Sequence, residues 1–340
     1  MEAFQIIEVE KYHNKKFEDT HLILEFNNLN YTFINSLRKV SICQVPIYAF
    51  DVNNVKIINN TSVYNNSQVA LRLSQLPIPN INHDIDFLEH KYYVGEIKEK
   101  HPKDTFDIDY YLKVSNIGDE LTKYGTTNDL KVNINHEEIK YNDMNPILLI
   151  KLRQGEEIEL SMKATLSIGE TNSIYNASSC YYDEIDENKI LFTIKSNRQL
   201  KEYDILIKSC DIIIIKMNNF KELVKKHNDS KIENDKMFIM NIDNEDYTLL
   251  NPINYVLQKS KDVQFCGIAK YNGFLDKNIR LKIKTNNNKS PLDEIEKAIN
   301  KSIDIFEDIK SKIIQLSKKK SKKDVKEEIT VKKTVKKNKK

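Results

Sequence analysis

Tyr31-Thr32-Phe33-Ile34-Asn35-Ser36-Leu37 recurs late in the chain as Tyr247-Thr248-Leu249-Leu250-Asn251-Pro252-Ile253, and the residue before each Tyr agrees in type, Asn30 and Asp246. In a chain rich in Asn, Ile and Lys the match gains its meaning from its surroundings. His21 to Asn27 alternates, with Leu22, Leu24 and Phe26 on one side, which predicts a half-buried strand before the first copy. Met237 to Ile242 predicts a strand before the second. Each copy then opens a short helix. Thr32 is placed to cap one from Phe33 to about Ile42, ended by Pro46, and Thr248 to Lys259 reads as the other.

Each half also closes on a long striped helix. Over 201–226, Tyr203, Leu206, Cys210, Ile213, Met217, Phe220 and Val224 fall at alternating spacings of three and four, a sustained heptad stripe. The second long helix starts at Ser290, where Ser290 and Asp293 form a capping-box pattern and Pro291 suits the first position. Its stripe is Leu292, Ile295, Ile299, Phe306, Ile309, Ile313 and Leu316, with Ser302 as the one polar break. Burial of each Leu or Ile contributes roughly 1.5–3 kcal/mol, so neither helix is expected to stay undocked. Two like modules with apolar helical stripes predict a pseudo-twofold pair in which each buries the other's stripe. The interface candidates are Leu206, Ile213, Phe220, Leu249, Ile253, Ile299, Phe306 and Ile313. Fusion in one chain raises the effective concentration of one half for the other, so no homodimer is required.

The fold class expected is α+β, two dimerisation modules forming an intramolecular pseudo-dimer with a mainly β insertion in the first. The boundaries expected are 1–58 plus 187–228 for the first module and 59–186 for the insertion. A linker at 229–235, the second module at 236–316 and a disordered Lys-rich tail at 317–340 complete the chain. A strand is expected around Ile47 to Ile58. Within the insertion, Ile158 to Ile168 alternates without a break, Tyr110 to Ser115 reads as a strand, and Asp119 to Asn128 reads as a turn-rich connection. In the second module Ile279 to Thr285 alternates, with Arg280, Lys282 and Lys284 forming a basic face suited to solvent or to acidic partner groups.

Charge is distributed unevenly. The last 24 residues hold twelve Lys against Asp324, Glu327 and Glu328, a local +9 within a net +3, so the other 316 carry −6. An acidic body is not a phosphate-neutralising surface. Four scattered cysteines, Cys43, Cys180, Cys210 and Cys266, give no C-x-x-C and fit a reducing, intracellular compartment. The mixed, charged stretch Met1 to Lys16 is not expected to be a signal peptide, and no apolar run of membrane-spanning length is present. The carboxylate groups Asp84 with Asp86, Asp107 with Asp109, and Asp183 to Glu187 read as solvated loops and strand faces rather than as a two-metal site. The seven His show no zinc spacing, and no phosphate-cradling Gly loop or nucleophile elbow occurs. Catalytic, metal and cofactor residues are therefore expected to be absent.

At the first copy of the repeat the chain resembles the α-like subunits of DNA-directed RNA polymerase. The resemblance rests on Thr32 to Val40 followed by Val45-Pro46-Ile47-Tyr48-Ala49-Phe50, on Asn60-Thr61-Ser62-Val63, on Ala70 to Ile78, and on Arg153-Gln154-Gly155-Glu156-Glu157-Ile158. These resemble the bacterial α N-terminal region and the eukaryotic third-largest subunit. Asp246 to Leu316 resembles the eukaryotic eleventh subunit, so the chain looks like the two partners joined, a pattern of large DNA viruses. The resemblance implies a non-catalytic assembly subunit whose partners are the two largest polymerase subunits and a small α-associated subunit. DNA would be met only through the complex, in a virion and a host factory or nucleus. Partner-contact candidates on these motifs are Asn35, Leu37, Arg38, Lys39 and Arg72. The chain departs from the family at Lys39, where a second Arg is common, and at Asn66-Ser67, where an acidic pair is expected. Pro252 implies either a later helix start with Asn251 as cap or a kink. A different reading is an independent nucleic-acid-binding protein acting through its basic tail, and a stand-alone nucleotidyltransferase is a third.

Overall fold

The computed structural model describes residues 4–14, 19–78, 81, 83–93, 100–140, 146–226, 237–243, 245–270, 278–286 and 289–337. The linker expected at 229–235 lies outside the described residues.

The chain opens with an antiparallel hairpin, β1 (Gln5–Asn14) and β2 (Asp19–Asn27). Leu22, Leu24 and Phe26 of β2 are wholly buried, as the alternation predicts. Asn28 takes a left-handed φ of 61° and turns the chain into α1 (Tyr31–Cys43). The cap of α1 is Asn30, not Thr32 as expected. The Asn30 side chain accepts the Thr32 backbone N–H at 3.0 Å, so the helix begins earlier than Phe33. The strand expected over 47–58 is two strands, β3 (Ile47–Ala49) and β4 (Val55–Asn60). Asp51 breaks it by accepting the Asn53 N–H at 2.8 Å and capping a single 3₁₀ turn.

Helix α2 (Asn66–Ser74) starts at a capping box made by Asn65 and Gln68, and the short α3 (His90–Tyr93) follows. Next come β5 (Ile108–Ser115), β6 (Thr122–Thr126), β7 (Leu130–Ile134), β8 (Glu137–Lys140), β9 (Leu148–Arg153), β10 (Glu157–Lys163) and β11 (Thr165–Ser167). The stretch 119–128, expected to be a turn-rich connection, carries β6, which pairs with β9. The unbroken alternation of 158–168 is divided at Ala164, whose N–H donates to the Ile108 carbonyl at 2.9 Å. The chain then continues as β12 (Ser178–Asp186), β13 (Lys189–Ser196), α4 (Glu202–Lys226), β14 (Phe238–Ile242), α5 (Tyr247–Gln258), β15 (Val263–Lys270), β16 (Ile279–Thr285) and α6 (Pro291–Lys337). Helical backbone thus runs on to Lys337, through residues for which the sequence predicts no regular structure.

The strands pair antiparallel throughout the described residues. One sheet has the order β1-β2-β13-β12 and is backed by α1 and α4, and another has the order β14-β16-β15 and is backed by α5 and α6. A five-stranded sheet, β4-β10-β5-β7-β8, forms the β-rich body with the β6–β9 ribbon. This is an α+β protein. The two halves bearing the repeat share one continuous apolar core, and the β-rich body has its own. The ribbon of β3 and β11 stands between the two cores. Ile47 and Ala49 face the first core, Tyr48 and Phe50 the second, so the two-residue period of a strand lets one segment wall both.

Candidate functional site: the helical junction and its outward residues

The junction is built from α1 and α4 on one side and α5 and α6 on the other. Leu206, Ile213, Phe220, Leu249, Ile253, Ile299, Phe306 and Ile313 all lie in the shared core. At its centre the Phe33 ring packs on Phe306, centroids 5.6 Å apart, and edge-on to Tyr255 at 6.0 Å. Ser302, the polar break in the α6 stripe, is buried and donates its hydroxyl to the Ala298 carbonyl at 2.8 Å, so the break leaves no unmet polar group.

The repeat is legible at its caps. Asp246 does for α5 what Asn30 does for α1, accepting the Thr248 N–H at 2.7 Å. Pro252 lies inside α5, so the alternative of a later start at Asn251 does not hold: the Asp246 cap fixes the start one turn earlier. Ion pairs cross from one half to the other around the apolar centre. They are Lys39–Asp246 at 3.6 Å, Lys216–Glu245 at 3.3 Å, Lys221–Glu296 at 3.4 Å and Lys310–Asp211 at 2.5 Å. Each half-exposed pair contributes at most about 1 kcal/mol, so their main effect is on register and partner choice. Burial pushes the Glu245 carboxyl above its ordinary range, against the pull of the Lys216 ammonium. The sequence reading missed these residues, although Lys216 and Lys221 flank Met217 and Phe220 of the stripe, where paired helices place their charges.

The candidates for external contact divide. Leu37 is wholly buried and belongs to the core, where it anchors the segment. Asn35, Arg38 and Lys39 are half-buried on α1. Arg38 donates through Nε and Nη2 to Asn35 Oδ1, at 3.2 and 3.0 Å, so the guanidinium is held in place by its own helix. Lys39 is engaged by Asp246. Arg72 lies elsewhere, on α2, where it donates to the Leu148 carbonyl at 2.9 Å. It borders a groove of about 440 Å³ between α2 and β9 in which Leu71 is 57% exposed. The structure therefore does not bring Arg72 together with the α1 residues.

Among the described residues no group of three or more His, Cys, Asp or Glu is placed to hold a metal ion. No described helix is long and apolar enough to cross a membrane.

Two sheet-and-helix halves that share one core through a short and a long helix from each define a protein of paired dimerisation modules. The model of the RNA polymerase Rpb3/Rpb11 dimerisation domain matches residues 23–217, and a second model of that description matches 238–312. The chain belongs to this family, as a DNA-directed RNA polymerase subunit carrying two such domains in one polypeptide. It is similar to a protein of Acanthamoeba polyphaga mimivirus provisionally named a DNA-directed RNA polymerase subunit, with 26% identity over 281 residues, 75% of this chain and 78% of the relative. It is also similar to the DNA-directed RNA polymerase subunit Rpo3 of Methanocaldococcus jannaschii, 22% identical over 189 residues, 56% of this chain and 83% of that one. A conjugation stage-specific protein of Tetrahymena thermophila is 26% identical over 209 residues, 56% of this chain and 64% of that one.

Proposed function

We propose that the paired halves act as an assembly platform on which the two largest polymerase subunits meet, together with a small α-associated subunit. The observation that carries this reading is the single core running through both halves. Each stripe is already covered within the chain, so the pair is a preformed unit needing no second copy. What it offers other chains is its outer surface, including Asn35, Arg38 and Lys39 on α1 and the groove beside Arg72. Catalysis then belongs to the complex and its other subunits, and DNA is reached through them. We keep as part of this proposal the division expected at 1–58 plus 187–228, 59–186 and 236–316 with two shifts: β4 (Val55–Asn60) goes to the insertion because it pairs with β10, and β12 (Ser178–Asp186) goes to the first module because it pairs with β13. Likeness to a mimivirus protein supports a viral source, and with it an intracellular or virion setting.

Affinity purification of the full chain from its native source tests the platform. Two very large polymerase subunits should co-purify, and deleting residues 317–340 should leave that recovery intact. Recovery of the chain without them sinks the assembly role. Recovery that depends on the tail favours direct nucleic-acid binding instead. Nucleotide incorporation by the purified chain alone, with Mg²⁺, would move catalysis onto this subunit.

A further inference from the structure

Pro252 has no N–H, so the carbonyl four residues earlier in α5, that of Thr248, loses its helical donor. That carbonyl is nevertheless satisfied. The Ser36 hydroxyl, from α1 of the other half, donates to Thr248 O at 2.7 Å in a buried bond. Ser36 is 2% exposed and Thr248 7%, so water does not compete. In the repeat, Ser36 and Pro252 occupy the same position, as do Thr32 and Thr248. One copy thus carries a hydroxyl where the other has deleted a donor.

The other buried helical serines of the core behave differently. Ser41, Ser209 and Ser302 each donate to the carbonyl four residues back in their own helix, at 2.7, 2.6 and 2.8 Å. That is the usual resting place of a buried helical hydroxyl. Ser36 instead reaches across the junction, to the carbonyl whose helical donor Pro252 lacks.

We propose that Ser36 and Pro252 are specificity determinants of module pairing: the first module supplies the hydroxyl that bonds the carbonyl Pro252 leaves open in the second, which a pair of second modules could not do. Two second modules together would face Pro252 with an orphaned Thr248 carbonyl on each side. Two first modules would leave no carbonyl open, and each Ser36 would fold back on its own Thr32 carbonyl as Ser41, Ser209 and Ser302 do on theirs. The device therefore discriminates against the pairing of two second modules, and so against self-association between chains through that module.

The test is a double-mutant cycle on the full chain by denaturant unfolding, with S36A, P252A and S36A/P252A. S36A alone should lower the folding constant about tenfold or more, because a buried carbonyl loses its partner. With P252A present, the helix regains an N–H at that position, and adding S36A should cost less than about threefold. An equal loss in both backgrounds overturns the proposal. Should P252A fail to fold, S36T is compared with the isosteric S36V. S36T should be the more stable by about tenfold, and equal midpoints overturn the proposal. The inference rests on pairing within the chain and is read from its own unfolding. Its failure would leave the polymerase platform untouched, and failure to recover large subunits would leave it standing.

Discussion

At the scale of single residues the four thiols give a test of how closed the shared core is. Burial pushes the Cys43 thiol up to about 11 and those of Cys180 and Cys266 to about 12, and that of Cys210 higher still; neighbouring Glu170 and Asp246 add to the effect at Cys43. The reactive species is the thiolate, so at neutral pH none of the four is primed. Titration of the native chain with a disulfide reagent at pH 7.5 should show no fast thiol, and all four should react once the chain is unfolded. A fast native thiol at Cys43, the least buried, would mean that the end of α1 opens to solvent. The same scale shows where local reading falls short. Both Asn30 and Thr32 are good caps by type, and the choice between them depended on where the turn at Asn28 aims the chain.

Among elements, the segment that runs from His83 to Leu88 is held by one histidine and one lysine. His83 is 5% exposed, and its Nδ1 accepts the Ile85 N–H at 3.3 Å. Nε2 therefore carries the proton and donates to the Pro46 carbonyl at 3.0 Å. Lys208 of α4 clamps the same segment, donating to the carbonyls of His83 and Ile85 and to Asp86. Burial, with the Lys208 charge adding to it and Asp86 and Asp104 opposing, lowers the His83 pKa from 6.5 to about 4. The unfolded chain then binds the proton more readily than the folded one. The contribution of His83 is fully present above about pH 6.5 and is lost as pH falls toward about 4, a difference of about 3 kcal/mol. Urea midpoints between pH 7 and pH 4.5 should fall more steeply for the natural chain than for H83Q. Equal slopes would mean that the segment detaches before the ring titrates. The strands teach a related lesson. The alternation of 158–168 told which residues are buried but not that Ala164 hands the chain from one sheet to another, because a period of two is the same in both.

For the whole molecule, the decisive feature is that two cores serve three sheet-bearing bodies. Residues of β2, β13, α4, β14, β16 and α6 belong to one core, and those of β5, β7 and β10 to the other. Cooperative units follow cores rather than sequence neighbours. Native-state hydrogen exchange under mild denaturant should release the amides of β2, β13, β14 and β16 together, and those of β5 and β10 as a separate group. Loss of β14 and β16 well before β2 and β13 would show that the two halves are only loosely coupled.

Sequence alone determined which residues would be buried in the long helices and that the chain holds two like modules. Those facts follow from local periodicity and from repetition, and neither depends on what lies opposite. Tertiary structure decided the division of β3 from β4, the pairing of β6, the burial of Leu37 away from any partner, and the separation of Arg72 from Arg38. It also decided what Tyr31-Thr32-Phe33-Ile34-Asn35-Ser36-Leu37 and its second copy are for. Ser36 and Pro252 explain each other only across the junction, since a missing hydrogen-bond donor has no consequence until a group from elsewhere in the chain is close enough to replace it.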